Sequence, residues 1–476
     1  MRIAFLALLV ALTSIIYSRP IPSDSVTFGD FGKIYMYYQS RQPESLILFI
    51  SGDGGWNKGV VDMGYHLVKQ NAMVAGINIT RYLNRLKSRK TKCDYPASDF
   101  ENLSLFIQKH YQFKEYLKPI LVGYSSGATL AYGIIAQAPF NTFKGAISLG
   151  FCPDIDLDKP LCSGSGLKSH ALKPGHSYYL EARHDLPCLF VALHGQIDQV
   201  CDYNSTASYL KEIEKTELIT LPKVGHGFSV EKNWLPQFIS SYEKIVAMQD
   251  AVKEISPTHE NSFASEDLDK NLPIIVTPAA ANENTPMVFM ISGDGGWTDF
   301  DQKIASTLAK RGIPTLGLDA QKYFWDRKTP EQSAHDFSIA IMEYMEKWHK
   351  KSFIFIGYSF GADVLPFIVN KLDEDMTGYI AGLVMMSPDK LGDFEIHVLD
   401  MLSLSNPKNK FDVPTEAKKI QKIKVMALFG DEEPEEEVQD FRNIGLLIET
   451  IPGSHHYNND VNAVVAAICN HFCKIE

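Results

Sequence analysis

Two pentapeptides in this sequence have the residue types and the spacing of a serine nucleophile held on a sharp turn. They are GYSSG at Gly123–Gly127 and GYSFG at Gly357–Gly361, and each follows a short apolar run. In a nucleophile elbow, the flanking glycines permit a strained turn that lifts the serine hydroxyl above a sheet. The pattern predicts nucleophiles at Ser125 and Ser359. The alternative is a Gly-Ser turn that only closes a strand.

A serine becomes a nucleophile beside a base, and the base needs a carboxylate that orients it. With this kind of elbow, the acid and then the histidine follow the serine along the chain. Each half of the sequence has an aspartate that ends an apolar run and, after the next apolar run, a histidine. The predicted catalytic triads are Ser125, Asp198 and His226 in the first half, and Ser359, Asp431 and His455 in the second.

His456 is an alternative to His455 as the second base. Aligning the aromatic residues that follow the histidines, Phe228 and Tyr457, favours His455. Counting from the preceding proline favours His456. We take His455 as the predicted base.

The heptapeptide ISGDGGW occurs twice, at 50–56 and at 291–297. Acyl transfer needs backbone N–H donors aimed at the developing oxyanion, and a Gly-rich turn after an early strand supplies them. A phosphate cradle fits less well, because the motif lacks the Lys and Ser/Thr of a P-loop. Asp53 and Asp294 either hold the turn or meet a cationic group, and the final tryptophan is expected to pack beneath it. The predicted oxyanion hole of the second half comprises Gly293, Asp294, Gly295, Gly296 and Phe360.

These segments recur in the same order in both halves at a nearly constant offset, which indicates duplication of a whole domain. Short apolar runs alternate with helical patterns, as is typical of mainly parallel sheets flanked by helices. We therefore predict an α/β fold class with two tandem α/β-hydrolase domains. The predicted boundaries are a signal peptide at 1–18, a first domain at 19–248, a polar linker at 249–270 and a second domain at 271–476.

The chain has 476 residues and a formal net charge of −11, which disfavours nucleic acid as a partner. Arg2, an apolar run and small residues up to Ser18 form the pattern of a cleaved secretory signal peptide, with an uncleaved anchor helix as the alternative. Export makes the seven cysteines candidates for disulfides, but the sequence leaves their pairing open. The sequence has no clustered Cys/His spacing typical of a metal site, and we predict neither a metal nor a cofactor.

The doubled ISGDGGW, the two elbows, HGQIDQVC at 194–201 and YFWDRKTPEQSAHDF at 323–337 resemble the VirJ/AcvB family of bacterial virulence proteins, over essentially the whole mature chain. The longer AcvB type looks like two such domains in tandem. The resemblance implies a periplasmic serine hydrolase that removes lysine from lysyl-phosphatidylglycerol, a cationic membrane lipid. It implies as partners the aminoacylated phospholipid at the membrane surface and components of type IV secretion. Ser359 matches the serine on which the family's activity rests.

That lipid presents an aminoacyl ester with two ammonium groups, and an acidic site would favour such a cation. The acidic run at 431–437 is consistent with this, with a solvated loop as the alternative. Trp325 is a candidate contact for an ammonium group, with core packing as the alternative, and Arg327 is a candidate for the lipid phosphate. The predicted substrate-binding residues are Asp319, Tyr323, Trp325, Arg327 and Asp363.

Two other functions fit the same residues. A general carboxylesterase or thioesterase would turn over neutral esters with no preference for cationic head groups. A non-catalytic periplasmic scaffold or chaperone for type IV secretion would carry both triads without using them. The intact order of both triads favours an enzyme. The role of the first half stays open between binding a membrane or partner and cleaving another substrate.

Overall fold

The computed structural model describes residues 22–248, 272–280, 285–396 and 411–473. The predicted signal peptide and the predicted linker lie outside the described residues. Within them, each half of the chain forms its own large sheet. The predicted α/β fold class, with two mainly parallel sheets flanked by helices, is confirmed.

The first half forms an eight-stranded sheet and a small three-stranded one. Their strands are β1 (Asp24–Phe28), β2 (Gly32–Tyr37), β3 (Ser45–Ile50), β4 (Ala72–Ile77), β5 (Ile120–Tyr124), β6 (Gly145–Leu149), β7 (Asp154–Asp156), β8 (Ser169–Lys173), β9 (Ser177–Leu180), β10 (Leu189–Gly195) and β11 (Thr216–Leu221). The large sheet has the order β1-β2-β4-β3-β5-β6-β10-β11. Its β1/β2 and β2/β4 pairs are antiparallel, and the remaining pairs are parallel.

The second half repeats this arrangement with seven strands in its large sheet. The strands are β12 (Ile274–Thr277), β13 (Met287–Ile291), β14 (Thr315–Leu318), β15 (Phe353–Tyr358), β16 (Ile380–Met386), β17 (Leu391–Gly392), β18 (Phe411–Asp412), β19 (Val425–Gly430) and β20 (Leu447–Ile451). The order is β12-β14-β13-β15-β16-β19-β20, and β17 pairs with β18 separately. Only the edge strand β12 runs antiparallel to its neighbour in the large sheet.

Helices cover both faces of the two large sheets. The α-helices are α1 (Lys58–Val68), α2 (Ile79–Leu86), α3 (Pro96–His110), α4 (Ser126–Gln137), α5 (Tyr203–Leu210), α6 (Leu235–Ala247), α7 (Asp299–Ala309), α8 (Ala320–Tyr323), α9 (Pro330–Lys347), α10 (Phe360–Val369), α11 (Glu374–Thr377), α12 (Val413–Ala417), α13 (Glu435–Asn443) and α14 (Val461–Phe472). Short 3₁₀ helices lie at Gly29–Phe31, Glu231–Asn233 and Tyr457–Asn459. Among the described helices, none combines the length and the apolar character that a membrane span requires.

The central strands are apolar on both faces because both faces are covered. On β3, Leu48 and Ile50 belong to one core cluster, whereas Ile47 and Phe49 belong to the cluster on the other face. Strand β13 alternates between two clusters in the same way. The cores on both faces of the sheet therefore fix the carboxyl ends of the parallel strands. The loops that follow these strand ends carry the predicted site residues.

The described residues form three disulfides. They join Cys93 to Cys162, Cys152 to Cys201 and Cys469 to Cys473. Cys188 is free, and burial raises the pKa of its thiol to about 12. The Cys152–Cys201 bond ties the loop after β6 to the loop after β10, which carries Asp198.

Trp325 of the second half inserts against α3 and the segment that follows it in the first half. Its side chain is 2% exposed, and its Nε1 donates to the carbonyl oxygen of Phe113 at 3.0 Å. The ammonium group of Lys109 lies 4.3 Å from the centre of the indole ring. Asn141 of the first half also donates to the carbonyl oxygen of Trp297, at 3.1 Å. These contacts bring the first half up to the Gly-rich turn of the second.

Candidate active sites

Both predicted nucleophiles lie on a strained turn between a strand and a helix. Ser125 joins β5 to α4 with a φ of 56°, and Ser359 joins β15 to α10 with a φ of 52°. A Cβ at Gly123 would lie 2.1 Å from the carbonyl oxygen of Gly127, and one at Gly357 would lie 2.3 Å from the matching oxygen. Only glycine fits so close to another backbone segment. The turn that the pentapeptides predict is therefore present in both halves.

In the first half, hydrogen bonds join the three predicted residues. His226 Nε2 lies 2.9 Å from Ser125 Oγ, and its Nδ1 lies 2.8 Å from Asp198 Oδ2. Asp198 Oδ1 accepts the backbone N–H groups of Val200 at 2.8 Å and Cys201 at 2.9 Å. The Asp198 side chain is fully buried. The two backbone N–H groups compensate its charge and orient the carboxylate towards the imidazole. The arrangement can move the Ser125 proton to His226 and stabilise the resulting imidazolium.

Asp198, Cys201 and His226 also bring together atoms that could bind a metal ion. However, Cys201 Sγ is engaged in a disulfide, and both ring nitrogens of His226 are hydrogen-bonded. The cluster is therefore better explained as part of the catalytic triad than as a metal site.

In the second half, the acid beside the histidine is Glu433 and not the predicted Asp431. The backbone N–H of Asp431 still continues the strand pairing, donating to the carbonyl oxygen of Ile451 at 2.9 Å. Its exposed carboxylate turns to the N–H of Gly453 at 2.8 Å. Glu433 Oε2 instead lies 3.7 Å from His455 Nδ1, and the Glu433 side chain is 5% exposed. The prediction for Asp431 is corrected because the pairing with β20 fixes its side chain in another direction.

The sequence did contain a signal for Glu433. Strand β10 ends at Gly195 and Asp198 is the third residue after it; strand β19 ends at Gly430 and Glu433 is the third residue after it. In both loops the N–H of that third residue donates back to the glycine carbonyl, at 3.3 and 3.2 Å. Aligning the strand-final glycines therefore identifies Glu433, whereas aligning the first acidic residue selects Asp431.

His455 occupies the place that His226 has in the first half. Tyr124 OH donates to the carbonyl oxygen of His226 at 3.1 Å, and Tyr358 OH donates to that of His455 at 3.3 Å. His456 has a different side-chain partner, since its Nδ1 lies 2.8 Å from Tyr358 OH. Burial lowers the pKa of His456, and the positive charge of His455 lowers it further. The geometry supports the choice of His455 as the base.

The residues of the second triad are less closely hydrogen-bonded to one another than those of the first. Glu433 raises the pKa of His455, against the opposing effect of burial. Among the described residues, no hydrogen bond joins His455 to Ser359. Catalytic hydrogen bonds are often long before substrate binds and tighten in the complex. The second site thus has the three residue types in place without the full set of bonds seen in the first.

Both Gly-rich turns lie next to a nucleophile. A Cβ at Gly52 would lie 3.1 Å from Ser125 Cβ, and one at Gly293 would lie 3.6 Å from Ser359 Cβ. Gly296 has a φ of 76° and closes its turn by donating to the Gly293 carbonyl at 3.0 Å. This placement brings the backbone of the proposed oxyanion residues close to the second serine; they are Gly293, Asp294, Gly295 and Gly296, together with Phe360 at the start of α10.

The tryptophan that ends each heptapeptide packs beneath its turn. A Cβ at Gly76 on β4 would lie 2.1 Å from the Trp56 ring, and one at Gly317 on β14 would lie 2.3 Å from the Trp297 ring. Both indoles are buried. A strand glycine therefore makes room for each ring, which supports the Gly-rich turn from below.

Asp319 and Asp363, predicted to bind substrate, are buried and bonded to the backbone. Asp319 caps α8 by accepting the N–H of Lys322 at 3.2 Å. Asp363 accepts the N–H of Asp389 at 2.7 Å. These contacts indicate that both carboxylates position the loops beside the site rather than face a ligand.

Tyr323 and Trp325 lie along the contact between the halves. Tyr323 donates to Asp336 at 2.6 Å, and Trp325 is packed as described above. Core packing, the alternative for Trp325, is what the structure shows, because the cation above its ring is this chain's own lysine. Arg327 is half-exposed and lies 3.8 Å from Asp393. Tyr323 and Trp325 line a groove of about 560 Å³ at this junction.

Carboxylates converge on the second site. Burial raises the pKa of Asp294 on the Gly-rich turn, and the charge of His455 opposes this rise. The negative charges of Glu433, Asp389 and Asp294 all act to raise the pKa of His455. Glu101, half-buried on α3 of the first half, has its pKa raised to about 7 by burial and by the charge of Asp294. The second site is therefore acidic, and the first half contributes to it.

The profile of the family described as "Bacterial virulence protein (VirJ)" matches residues 44–144 and 285–475, which is more than half of the chain. This protein belongs to the VirJ family. The matched parts of this VirJ protein include both elbows, Glu433 and His455. Asp198 and His226 lie between the two matched segments, so the family profile does not reach the acid and the base of the first site.

Three solved structures similar to the VirJ protein each cover less than half of it. Est1E from Butyrivibrio proteoclasticus is 18% identical with a TM-score of 0.30, over 41% of this chain and 91% of that chain. A putative dienelactone hydrolase from Klebsiella pneumoniae is 10% identical with a TM-score of 0.34, over 48% and 98%. Esterase 2 of Thermogutta terrifontis, phosphonylated by cyclosarin, is 17% identical with a TM-score of 0.31, over 45% and 88%. No curated protein matches the chain.

Proposed function

We propose that this VirJ family protein is an exported serine hydrolase whose second site cleaves the aminoacyl ester of lysyl-phosphatidylglycerol or a related aminoacylated lipid. The two strained serine turns support ester hydrolysis as the reaction. The observation that carries the choice of substrate is the convergence of carboxylates on His455. A lysyl group offers two ammonium groups to such a site, and a neutral acyl chain offers none.

Simple electrostatics supports this selectivity. An ammonium group about 4 Å from a carboxylate gains about 4 kcal/mol at an effective dielectric constant of about 20, before its desolvation is counted. A difference of about 1.4 kcal/mol already changes an equilibrium tenfold. Asp294, on the turn beside Ser359, is the carboxylate that we propose to favour a lysyl ester over an uncharged ester of similar size.

The proposed reaction has two steps. Ser359 Oγ attacks the lysyl carbonyl carbon while His455 takes its proton and Glu433 stabilises the imidazolium. Backbone N–H groups of Phe360 and of the Gly-rich turn hold the oxyanion, while the N–H of Gly296 closes that turn. His455 then gives the proton to the glycerol oxygen of the leaving phosphatidylglycerol. Water, activated by His455, hydrolyses the lysyl ester on Ser359 and releases lysine.

We further propose that the protein works in the periplasm, to which a cleaved signal peptide at 1–18 would deliver it. There it would meet the aminoacylated phospholipid at the membrane surface. Components of type IV secretion are the protein partners that the family resemblance supports. The reaction itself needs no metal, because the serine, the base and the acid supply the nucleophile and move the proton.

The direct test is release of free lysine from vesicles that contain lysyl-phosphatidylglycerol. We expect Ser359→Ala to lower the rate on the order of 10³-fold or more, because it removes the nucleophile. Ser125→Ala tests the first site in the same assay, and it should leave most of the release in place. No release by the folded wild type, or release that depends on Ser125 alone, would show that the proposal is wrong.

A further inference from the structure

We propose that the first half contains a second, independently working acyl-ester hydrolase, with Ser125 as its nucleophile, which takes uncharged esters with aliphatic acyl groups. This activity is separate from lysyl-lipid hydrolysis at Ser359. The family profile does not reach Asp198 or His226, so the matched family leaves this site unassigned.

Hydrogen bonds join all three residues of the first triad. Both ring nitrogens of His226 are bonded, at 2.9 Å to the serine and 2.8 Å to the acid. A fully buried carboxylate is costly unless hydrogen bonds compensate its charge. Two backbone N–H groups and the imidazole provide those bonds for Asp198. Among the residues that the structure describes, the side chain that hydrogen-bonds to this buried charge is the base that faces the nucleophile.

A disulfide and a hydrogen bond together connect the acid loop to the helix that follows the elbow. The helix that begins after Ser125 carries Thr129, whose Oγ1 donates to the carbonyl oxygen of Cys152 at 2.6 Å. Cys152 is disulfide-bonded to Cys201, and the N–H of Cys201 donates to Asp198. The nucleophile helix and the acid are therefore connected through one short chain of bonds. Such support keeps catalytic groups in a productive geometry before substrate arrives.

The acid loop of the first site is apolar where that of the second is acidic. Counted from the strand-final glycines, Ile197 and Val200 stand where the second loop has Glu432 and Glu435. Ile197 is 61% exposed and Val200 is 68% exposed. Val230, four residues after the base, is 48% exposed. Both loops that carry the base and the acid thus present aliphatic side chains to solvent.

The two loops carry a sizeable share of the exposed apolar side chains. Among the described residues, nine large hydrophobic side chains are exposed, and three of them are the ones on these two loops. Clustered exposed apolar side chains mark binding surfaces more often than isolated ones do. An aliphatic acyl chain would cover them and remove their surface from water. A cationic aminoacyl group would find no comparable set of carboxylates on this loop.

Ser126 gives the first site a polar group that the second lacks. It follows the nucleophile, and its Oγ is shielded from solvent without a hydrogen-bond partner among the described residues. The second site has Phe360 at this position, with its ring 5.1 Å from that of Phe324. A shielded hydroxyl without a partner is unfavourable until something bonds to it. An ester oxygen of the substrate could accept a hydrogen bond from the Ser126 hydroxyl.

The reaction is an ordinary two-step acyl transfer. Ser125 Oγ bonds to the ester carbonyl carbon while its proton moves to His226, and the bond from that carbon to the alcohol oxygen breaks as His226 returns the proton. Water then attacks the acyl group on Ser125, again with His226 taking and returning a proton. The products are one carboxylic acid and one alcohol, and the enzyme is regenerated.

The test uses the mature chain with Ser359→Ala, so that only the first nucleophile remains. Its substrates are 4-nitrophenyl butyrate, 4-nitrophenyl octanoate and the 4-nitrophenyl ester of lysine. We expect turnover of both uncharged esters and a drop on the order of 10³-fold when Ser125→Ala is added. Val200→Glu should lower kcat/KM for the octanoate ester by about tenfold, with a smaller loss for the lysine ester. Ser126→Ala should lower kcat more than it raises KM.

Each opposite outcome overturns a defined part of the proposal. If turnover survives Ser125→Ala in a protein with unchanged circular dichroism and thermal unfolding, the first triad is not the catalyst. If the Ser125-dependent reaction prefers the lysine ester, the assignment of uncharged substrates is wrong. Lysine release from the lipid, measured with Ser359 intact, reports on the other site, so failure of one proposal is distinguishable from failure of the other.

Discussion

Glu433 controls both the direction and the charge of the second site's base. Its carboxylate raises the pKa of His455, and the negative charges of Asp389 and Asp294 add to that effect while burial opposes it. A general base must be neutral to take a proton from the nucleophile. The rate at the second site should therefore rise as the pH passes the raised pKa of His455.

The substitution Glu433→Gln removes the largest cause of the raised pKa of His455. We expect the pKa of His455 to fall, so the acidic limb of the pH profile for lysine release moves to lower pH. The maximal kcat should also fall, on the order of 10³-fold, because the imidazolium loses its counter-charge. The measurement is kcat/KM for lysine release between pH 5 and about pH 9, which spans the usual titration of histidine.

Asp431→Asn is the matched control for this variant. It lies two residues away on the same loop, and its carboxylate contacts a backbone N–H instead of the histidine. We expect less than about a tenfold loss of rate and no movement of the pH limb. If Asp431→Asn caused the larger loss and Glu433→Gln the smaller, the assignment of the acid would be wrong.

At the scale of elements, the disulfide between the loops after β6 and β10 supports the first site. Changing Cys152→Ser together with Cys201→Ser should lower Ser125-dependent ester hydrolysis by about tenfold, because the N–H that holds Asp198 becomes less well fixed. Reaction of Ser359 should be unchanged. The assay is hydrolysis of 4-nitrophenyl butyrate by the folded double variant.

The disulfide near the C-terminus provides the comparison. Cys469 and Cys473 bridge one turn at the end of α14, in the other half of the chain. Replacing both with serine should leave hydrolysis at the first site intact. Equal losses from the two pairs would mean that disulfides act on general stability and not on the acid loop.

The elements of both sites are largely predictable because local patterns specify them. Short apolar runs mark the buried strands. The glycines beside Ser125 and Ser359 mark sharp turns in which only glycine fits. Glu433 was missed because its loop offers several carboxylates, and local pattern does not say which one the turn aims at the histidine. Trp325 could not be placed because its partner, Phe113, is 212 residues away in the sequence.

At the scale of the whole molecule, the first half reaches the second site through α3. Glu101 on this helix lies close enough to Asp294 for the two negative charges to repel, and this repulsion adds to the effect of burial on the pKa of Glu101. The buried Trp325 contact holds the helix there. A lysyl group entering between Glu101 and Asp294 would relieve the repulsion. We therefore predict that the first half contributes to substrate binding at the second site.

Glu101→Gln tests this contribution. We expect KM for lysyl-phosphatidylglycerol to rise by about three- to tenfold with little change in kcat, because the residue binds the cation and moves no proton. Since the pKa of Glu101 is about 7, its carboxylate becomes charged as the pH rises through that value. The difference from wild type should therefore grow above pH 7. Steady-state kinetics of lysine release at several pH values provides the measurement.

Glu212→Gln, at an exposed position of the first half, is the control for loss of one negative charge. It should leave KM unchanged. If it raised KM as much as Glu101→Gln does, the effect would come from net charge and not from a carboxylate at the second site.

Labelling of the mature protein with a fluorophosphonate probe, followed by peptide mapping, would show whether both serines are activated nucleophiles. The probe reacts with serines that a neighbouring base activates. Two working sites predict adducts on both Ser125 and Ser359, with faster labelling of Ser125 because its triad is already closed. Each adduct should vanish when its own serine is changed to alanine. A folded protein that forms an adduct on neither serine would mean that neither triad is catalytic.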